Sequence, residues 1–206
     1  MTNPQPRPSG LQRLLFGAYA DYARKIAPIF ALCCFLFGFS LGMGYVLGNT
    51  IPASTMNDIL GSFPDTSKMS LPELFIFIAV NNIGKSLLFM LGGIIGGVLP
   101  LFFVIFNGFF IGYVAYSFSS IYGIEFIIAG LTPHGIFEIP AIVFAMAIGM
   151  SLGYAAMNAV RREGSILKEA RLALGLFLTR ITPILILAAI IEVTLTPLLL
   201  AWLGYV

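Results

Sequence analysis

Within a long apolar run, Thr132-Pro133-His134-Gly135-Ile136-Phe137-Glu138-Ile139-Pro140-Ala141 carries the chain's single histidine and, four positions later, a carboxylate. On a helix that spacing puts imidazole and carboxylate one turn apart on one face, where they can share a proton, a water or a metal ion. The sequence predicts that Pro133 opens a helix, capped by Thr132, with His134 near a membrane face. Pro140 has no N–H and leaves the carbonyl of Ile136 without its helical partner, which would add an acceptor to the pair. A divalent metal ion would take His134 and Glu138 as ligands. A closed four-ligand zinc site would then need two copies of the chain, each giving one His134 and one Glu138, or several waters. A proton relay needs only the pair itself. A purely structural reading stands beside these: His134 caps a helix end, and Glu138 pairs with Lys85 or Arg180 to keep helices in register.

Other polar residues sit where lipid would disfavour them. Asn81, Asn82 and Lys85 fall within one apolar stretch, and Asn81 and Lys85 share a helical face. Lys85 either joins a buried polar cluster or snorkels to the surface. Asn107-Gly108 interrupts the next stretch.

The elements that must position these groups follow from composition. Of 206 residues, 59% are hydrophobic and only 10% charged, against ~25% charged in an ordinary soluble domain. The apolar runs are long and do not alternate, which implies helices and not barrel strands. The expected fold is all-α, a polytopic membrane helical bundle. Its five transmembrane helices lie at residues 26–48, 74–97, 98–122, 134–159 and 172–194, each near the ~20 residues a bilayer requires. Residues 1–10, rich in proline and polar groups, read as a disordered tail ahead of a single membrane domain at 11–206. Leu11 to Lys25 reads either as an amphipathic helix along the membrane surface or as the start of the first span. Gly123 to Leu131 is too short to cross and reads as re-entrant or interfacial, delivering the chain to His134. Thr196 to Val206 is likewise short, turned at Pro197, with Trp202 and Tyr205 as an interfacial anchor.

Six pairs of glycines at small-xxx-small spacing, Gly38/Gly42, Gly44/Gly48, Gly92/Gly96, Gly93/Gly97, Gly108/Gly112 and Gly149/Gly153, allow close helix approach. They serve dense packing within the chain or a homo-oligomer. Arg7, Arg13, Arg24 and Lys25 precede the first span, and Arg161, Arg162, Lys168 and Arg171 follow the fourth. The positive-inside rule therefore places the amino terminus in the cytoplasm and the loop at 49–72 outside the cell membrane. The net charge of +2 gives no basis for nucleic-acid binding. Adjacent Cys33 and Cys34 lack the spacing of a metal knuckle and read as apolar filler.

Three blocks together resemble the stage II sporulation protein M family: Asn81-Asn82, Asn107-Gly108 with Gly112, and Pro133-His134-Gly135 with Glu138 and Pro140-Ala141. The similarity covers about residues 70–160, and the third block is its most specific part. It implies a multi-helix bacterial or archaeal membrane protein, with these motif residues as its core. Sporulation members of the family act as scaffolds for cell-wall-degrading partners. The wider family occurs in cells that do not sporulate, so that role does not transfer.

The leading functional expectation is a non-enzymatic envelope scaffold or oligomeric membrane component, embedded in the lipid bilayer with itself or other envelope proteins as partners. The alternative is an ion- or metal-binding membrane protein or transporter built on His134 and Glu138, with a divalent metal ion as cofactor. An enzyme is disfavoured, because the paired histidines of zinc proteases, an activated serine or cysteine and a phosphate loop are all absent from the sequence.

Overall fold

The computed structural model describes residues 17–205, apart from 53, 56, 57, 59, 60, 62, 63 and 65. The expected tail at 1–10 and the first part of the expected surface helix, 11–16, lie outside the described residues. Helix α1 spans Ala18–Leu47 and ends in a short 3-10 turn, Gly48–Thr50. Residues 18–25 therefore continue into the first span, and do not form a separate surface helix. Helix α2 covers Leu71–Gly92. It begins where Glu73 reaches back to accept hydrogen bonds from the Ser70 backbone N–H (2.8 Å) and hydroxyl (2.7 Å), satisfying a donor the helix cannot pair itself.

The glycine run after α2 makes a tight turn, with Gly96 and Gly97 at φ of 65° and 75°, a region open to glycine at little cost. Helix α3 follows directly at Val98–Tyr122. Gly123 then turns the chain, and α4 runs unbroken over 37 residues, Ile124–Val160. Helix α5, Ile166–Leu176, passes through a π-turn at Phe177–Ile181 into α6, Thr182–Trp202. Among the described residues, five helical segments are long and apolar enough to cross a membrane, the last formed by α5 and α6 together. The all-α polytopic bundle is thus as expected.

Three expectations about boundaries are corrected. Pro133 does not open a helix, and 123–131 is not a re-entrant piece, because α4 starts at Ile124 and carries both Pro133 and Pro140 inside it. In lipid the backbone has no water to pair with, so the helix continues through a proline that would end it in solution. Likewise the chain does not turn back at Pro197; α6 holds to Trp202. Only then does Gly204 turn it, and the Tyr205 hydroxyl donates to the Tyr122 carbonyl at 3.3 Å.

Helix α4 is the axis of the bundle. Over half of its apolar window, 56%, is buried, more than in any other span, and Val143, Met146, Ile148 and Leu152 are core residues. It packs on α1, α2, α3 and α6. Helices α1 and α3 run parallel and in close contact. A Cβ on Gly44 or Gly112 would overlap the backbone at Phe109 or Leu41, and one on Gly48 would overlap the Tyr116 ring. Gly149 and Gly153 meet the Gly93–Gly97 turn in the same way. Five of the six glycine pairs are therefore taken up by turns or packing inside one chain. At Gly38 and Gly42 no atom of the described residues lies near the position of an added Cβ.

One polar tie closes an end of the bundle. Lys25 of α1 pairs with Glu169 of α5 at 2.7 Å, and Ser151 of α4 donates to the same carboxylate at 3.0 Å. The start of α1 is thereby held beside the loop that follows α4. Its Arg24 and Lys25 gather at the same end as Arg161, Arg162, Lys168 and Arg171.

Candidate functional site

The fourth and sixth helices bring the ionisable groups together. His134 lies ten residues into α4, about 15 Å along the axis, and Glu138 follows one turn later. From α6 come Glu192 and, one turn on, Thr196. One ring nitrogen of His134 and one carboxylate oxygen from each of Glu138 and Glu192 lie within 4.8 Å of one another. His134 Nδ1 stands 3.4 Å from the Thr196 hydroxyl, which leaves Nε2 as the nitrogen available to a ligand.

Three atoms this close share a point no more than roughly 2.8 Å from each of them, compared with ~2.0–2.2 Å for zinc bonds and ~2.3–2.6 Å for calcium bonds. Side-chain movement of less than an ångström would seat an ion. Two carboxylates beside each other at membrane depth also repel unless a cation or a shared proton lies between them. The arrangement can therefore hold a divalent cation by one imidazole and two carboxylates, with waters completing its shell.

Glu192 was not part of the sequence-derived pair, and it removes the need for a second copy to supply a third ligand. The third group that meets the pair is the Glu192 carboxylate. The structural alternative for Glu138 also changes. Among the described residues Lys85 forms no ion pair with it, and Arg180 sits in the π-turn, twelve residues or about 18 Å along the helix from Glu192.

The remaining motif residues divide between site and scaffold. Asn81, Asn82 and Lys85 of α2 line the same cavity of about 420 Å³ as His134, Glu138 and Glu192. Pro64 also lines it, so it opens toward the end bearing the 48–70 segment. The Asn81 amide donates to Asn82 Oδ1 at 3.2 Å. Asn107 donates to the Phe103 carbonyl at 2.8 Å and borders a smaller cavity of about 100 Å³ that also touches Glu138. Gly108 is not at the site; it is buried against Phe37 and Ser40 of α1. The signal that could have found Glu192 is its pairing with Thr196, two polar groups at helical spacing in the most apolar span.

Comparison with known proteins places the chain in a family. Residues 31–197 match the family described as stage II sporulation protein M, and that stretch contains every residue of the cluster. A protein of Methanocaldococcus jannaschii described as uncharacterized is 31% identical over 176 residues, covering 84% of this chain and 95% of that protein. No solved structure matches. A multi-pass bundle of five apolar helices, matched over most of its length, belongs to the stage II sporulation protein M family.

Proposed function

We propose that the chain is a non-enzymatic membrane protein that binds a divalent cation within the bilayer, through His134, Glu138 and Glu192. The observation that carries this reading is the convergence of three ligand atoms from two helices within 4.8 Å, on the wall of a cavity that Asn81, Asn82 and Lys85 also line. One imidazole with two carboxylates suits zinc, manganese or iron better than the all-oxygen shells of calcium and magnesium. Thr196 supplies the outer support that metal-bound imidazoles commonly have. With the cationic end in the cytoplasm, the ion enters from the outer side, past the 48–70 segment.

The test is thermal unfolding of the chelator-treated protein during titration with zinc and with manganese. An ion bound only by the folded protein raises Tm as its concentration rises. The native chain should show that rise, and His134→Ala, Glu138→Gln and Glu192→Gln should each abolish it. A flat response from the native chain would overturn the reading.

A second reading, an oligomeric scaffold partnered by itself or by other envelope proteins, is favoured by the open Gly38/Gly42 face of α1. Close helix contact there is what small-xxx-small pairs permit. Cross-linking in membranes tests it: Gly38→Leu with Gly42→Leu should convert an oligomer to monomer. A native chain that is already monomeric removes this reading.

A further inference from the structure

A second binding site adjoins the cation cluster, and Lys85 stands at its centre. Lys85 lies seven residues before the end of α2, about 10 Å inside it. It is exposed to the cavities and makes no ion pair with any described residue. An unpaired ammonium at this depth is costly, and such groups characteristically face a cavity where a counter-charge can reach them.

Lys85 borders three cavities. One is the 420 Å³ cavity of the cation cluster and the second is the 100 Å³ cavity beside Asn107. The third is a groove of about 580 Å³ whose walls are Phe89, Phe102, Phe103, Phe106 and Phe110. Lys85, Phe103 and Asn107 belong to both the groove and the small cavity, so the two are contiguous. A mostly aromatic groove of ~300–1,000 Å³ that ends in a few polar groups has the form of a ligand site.

An independent observation comes from Ser86. Ser86 lines the small cavity and is 1% exposed, and its hydroxyl has no hydrogen-bond partner among the described residues. Several hydroxyls elsewhere in the bundle bond to their own helix: Ser117 to Tyr113, Ser120 to Ser117, Thr179 to Gly175 and Thr194 to Ile190. That local bond is the ordinary solution for serine in a membrane helix. Tyr22 and Thr182 are the other buried hydroxyls without a partner among the described residues, and neither lines these cavities. Ser86 instead leaves a buried donor next to an unpaired ammonium, beside Asn82 and Asn107.

We propose that this site holds a phospholipid of net negative headgroup charge, its chain in the phenylalanine groove and its headgroup at Lys85 and Ser86. The lysine supplies the charge, the serine a neutral donor, and the groove excludes water from both. Basic pockets between membrane helices bind anionic headgroups in this way. Free phosphate would use the polar end alone and leave the groove unexplained. The site needs no metal, because its counter-charge is Lys85.

The experiment is native mass spectrometry of the purified chain in an uncharged detergent with chelator, titrated with dioleoyl phosphatidic acid or dioleoyl phosphatidylcholine. The native protein should take up one phosphatidic acid at least tenfold more tightly than phosphatidylcholine. Lys85→Gln should lose that preference by about tenfold, as expected for removing one charged hydrogen bond. Phe106→Ala should weaken both lipids, since Phe106 is 52% exposed and its truncation leaves the core intact. Ser86→Ala should weaken phosphatidic acid without lowering Tm, because its hydroxyl has no partner to lose. Glu192→Gln, which removes a carboxylate of the cation cluster that lines neither the groove nor the small cavity, should retain lipid binding, so failure of either site is distinguishable from failure of the other. Equal uptake of the two lipids, an unchanged Lys85→Gln, or displacement by excess inorganic phosphate would overturn the proposal.

Discussion

The Thr196 hydroxyl of α6 lies 3.4 Å from His134 Nδ1 of α4, across 62 positions of sequence. That contact engages Nδ1 and leaves the other ring nitrogen free to meet a ligand. Thr196→Val keeps the shape and removes the hydrogen bond. Its expected effect is a loss of ~10–100-fold in divalent-cation affinity, the usual cost of removing such a support, with Tm unchanged in chelator. Metal titration by calorimetry checks it; unaltered affinity would detach Thr196 from the site.

Glu138 and Glu192 predict a reversal of sign. Without metal, two neighbouring carboxylates oppose folding, so Glu192→Gln should raise Tm in chelator or leave it unchanged. With saturating zinc the same variant should fall below the native protein, because it has lost a ligand. Paired melting curves with and without metal read both effects. Loss of stability in chelator would show that Glu192 supports the fold in some other way.

The glycine faces give a prediction about packing. Gly112→Ala forces a methyl group into the Leu41 backbone of a parallel neighbour, and overpacking of this kind costs about 1–3 kcal/mol. Gly42→Ala meets open space and should leave the melting temperature of the monomer unchanged. Thermal unfolding in detergent separates the two. Equal effects would contradict the parallel α1 and α3 contact.

Orientation follows from the shared cationic end. A reporter placed after Gly61 should read external and one after Gly164 cytoplasmic. A cytoplasmic signal at Gly61 would invert the protein and put the mouth of the cation cavity inside the cell.

What the sequence disclosed depended on how local the information was. His134 and Glu138 were legible together because a helical turn joins them wherever the helix begins. Glu192 was not, because its place beside Glu138 is set by how α4 packs on α6, and no spacing along the chain records it. Pro133 misled for a related reason. In water proline marks a helix start, but at this depth a break would strand backbone groups, so α4 passes through. Gly108 was read both with Asn107 in one polar motif and with Gly112 as a packing pair, and it is the packing that the structure bears out, its missing side chain letting α1 approach.

At ~1.5 Å per residue the 37 residues of α4 form a rod about 55 Å long, while the hydrocarbon layer is ~30 Å thick. The rod must lean or protrude, and hydrophobic mismatch sets the balance between the two. A thicker membrane stands α4 more upright, and a thinner one lets its ends emerge or tilts it further. The span that carries Glu192, residues 166–202, is as long and packs against α4, so His134, Glu138 and Glu192 sit on two overlong rods that must accommodate the bilayer together.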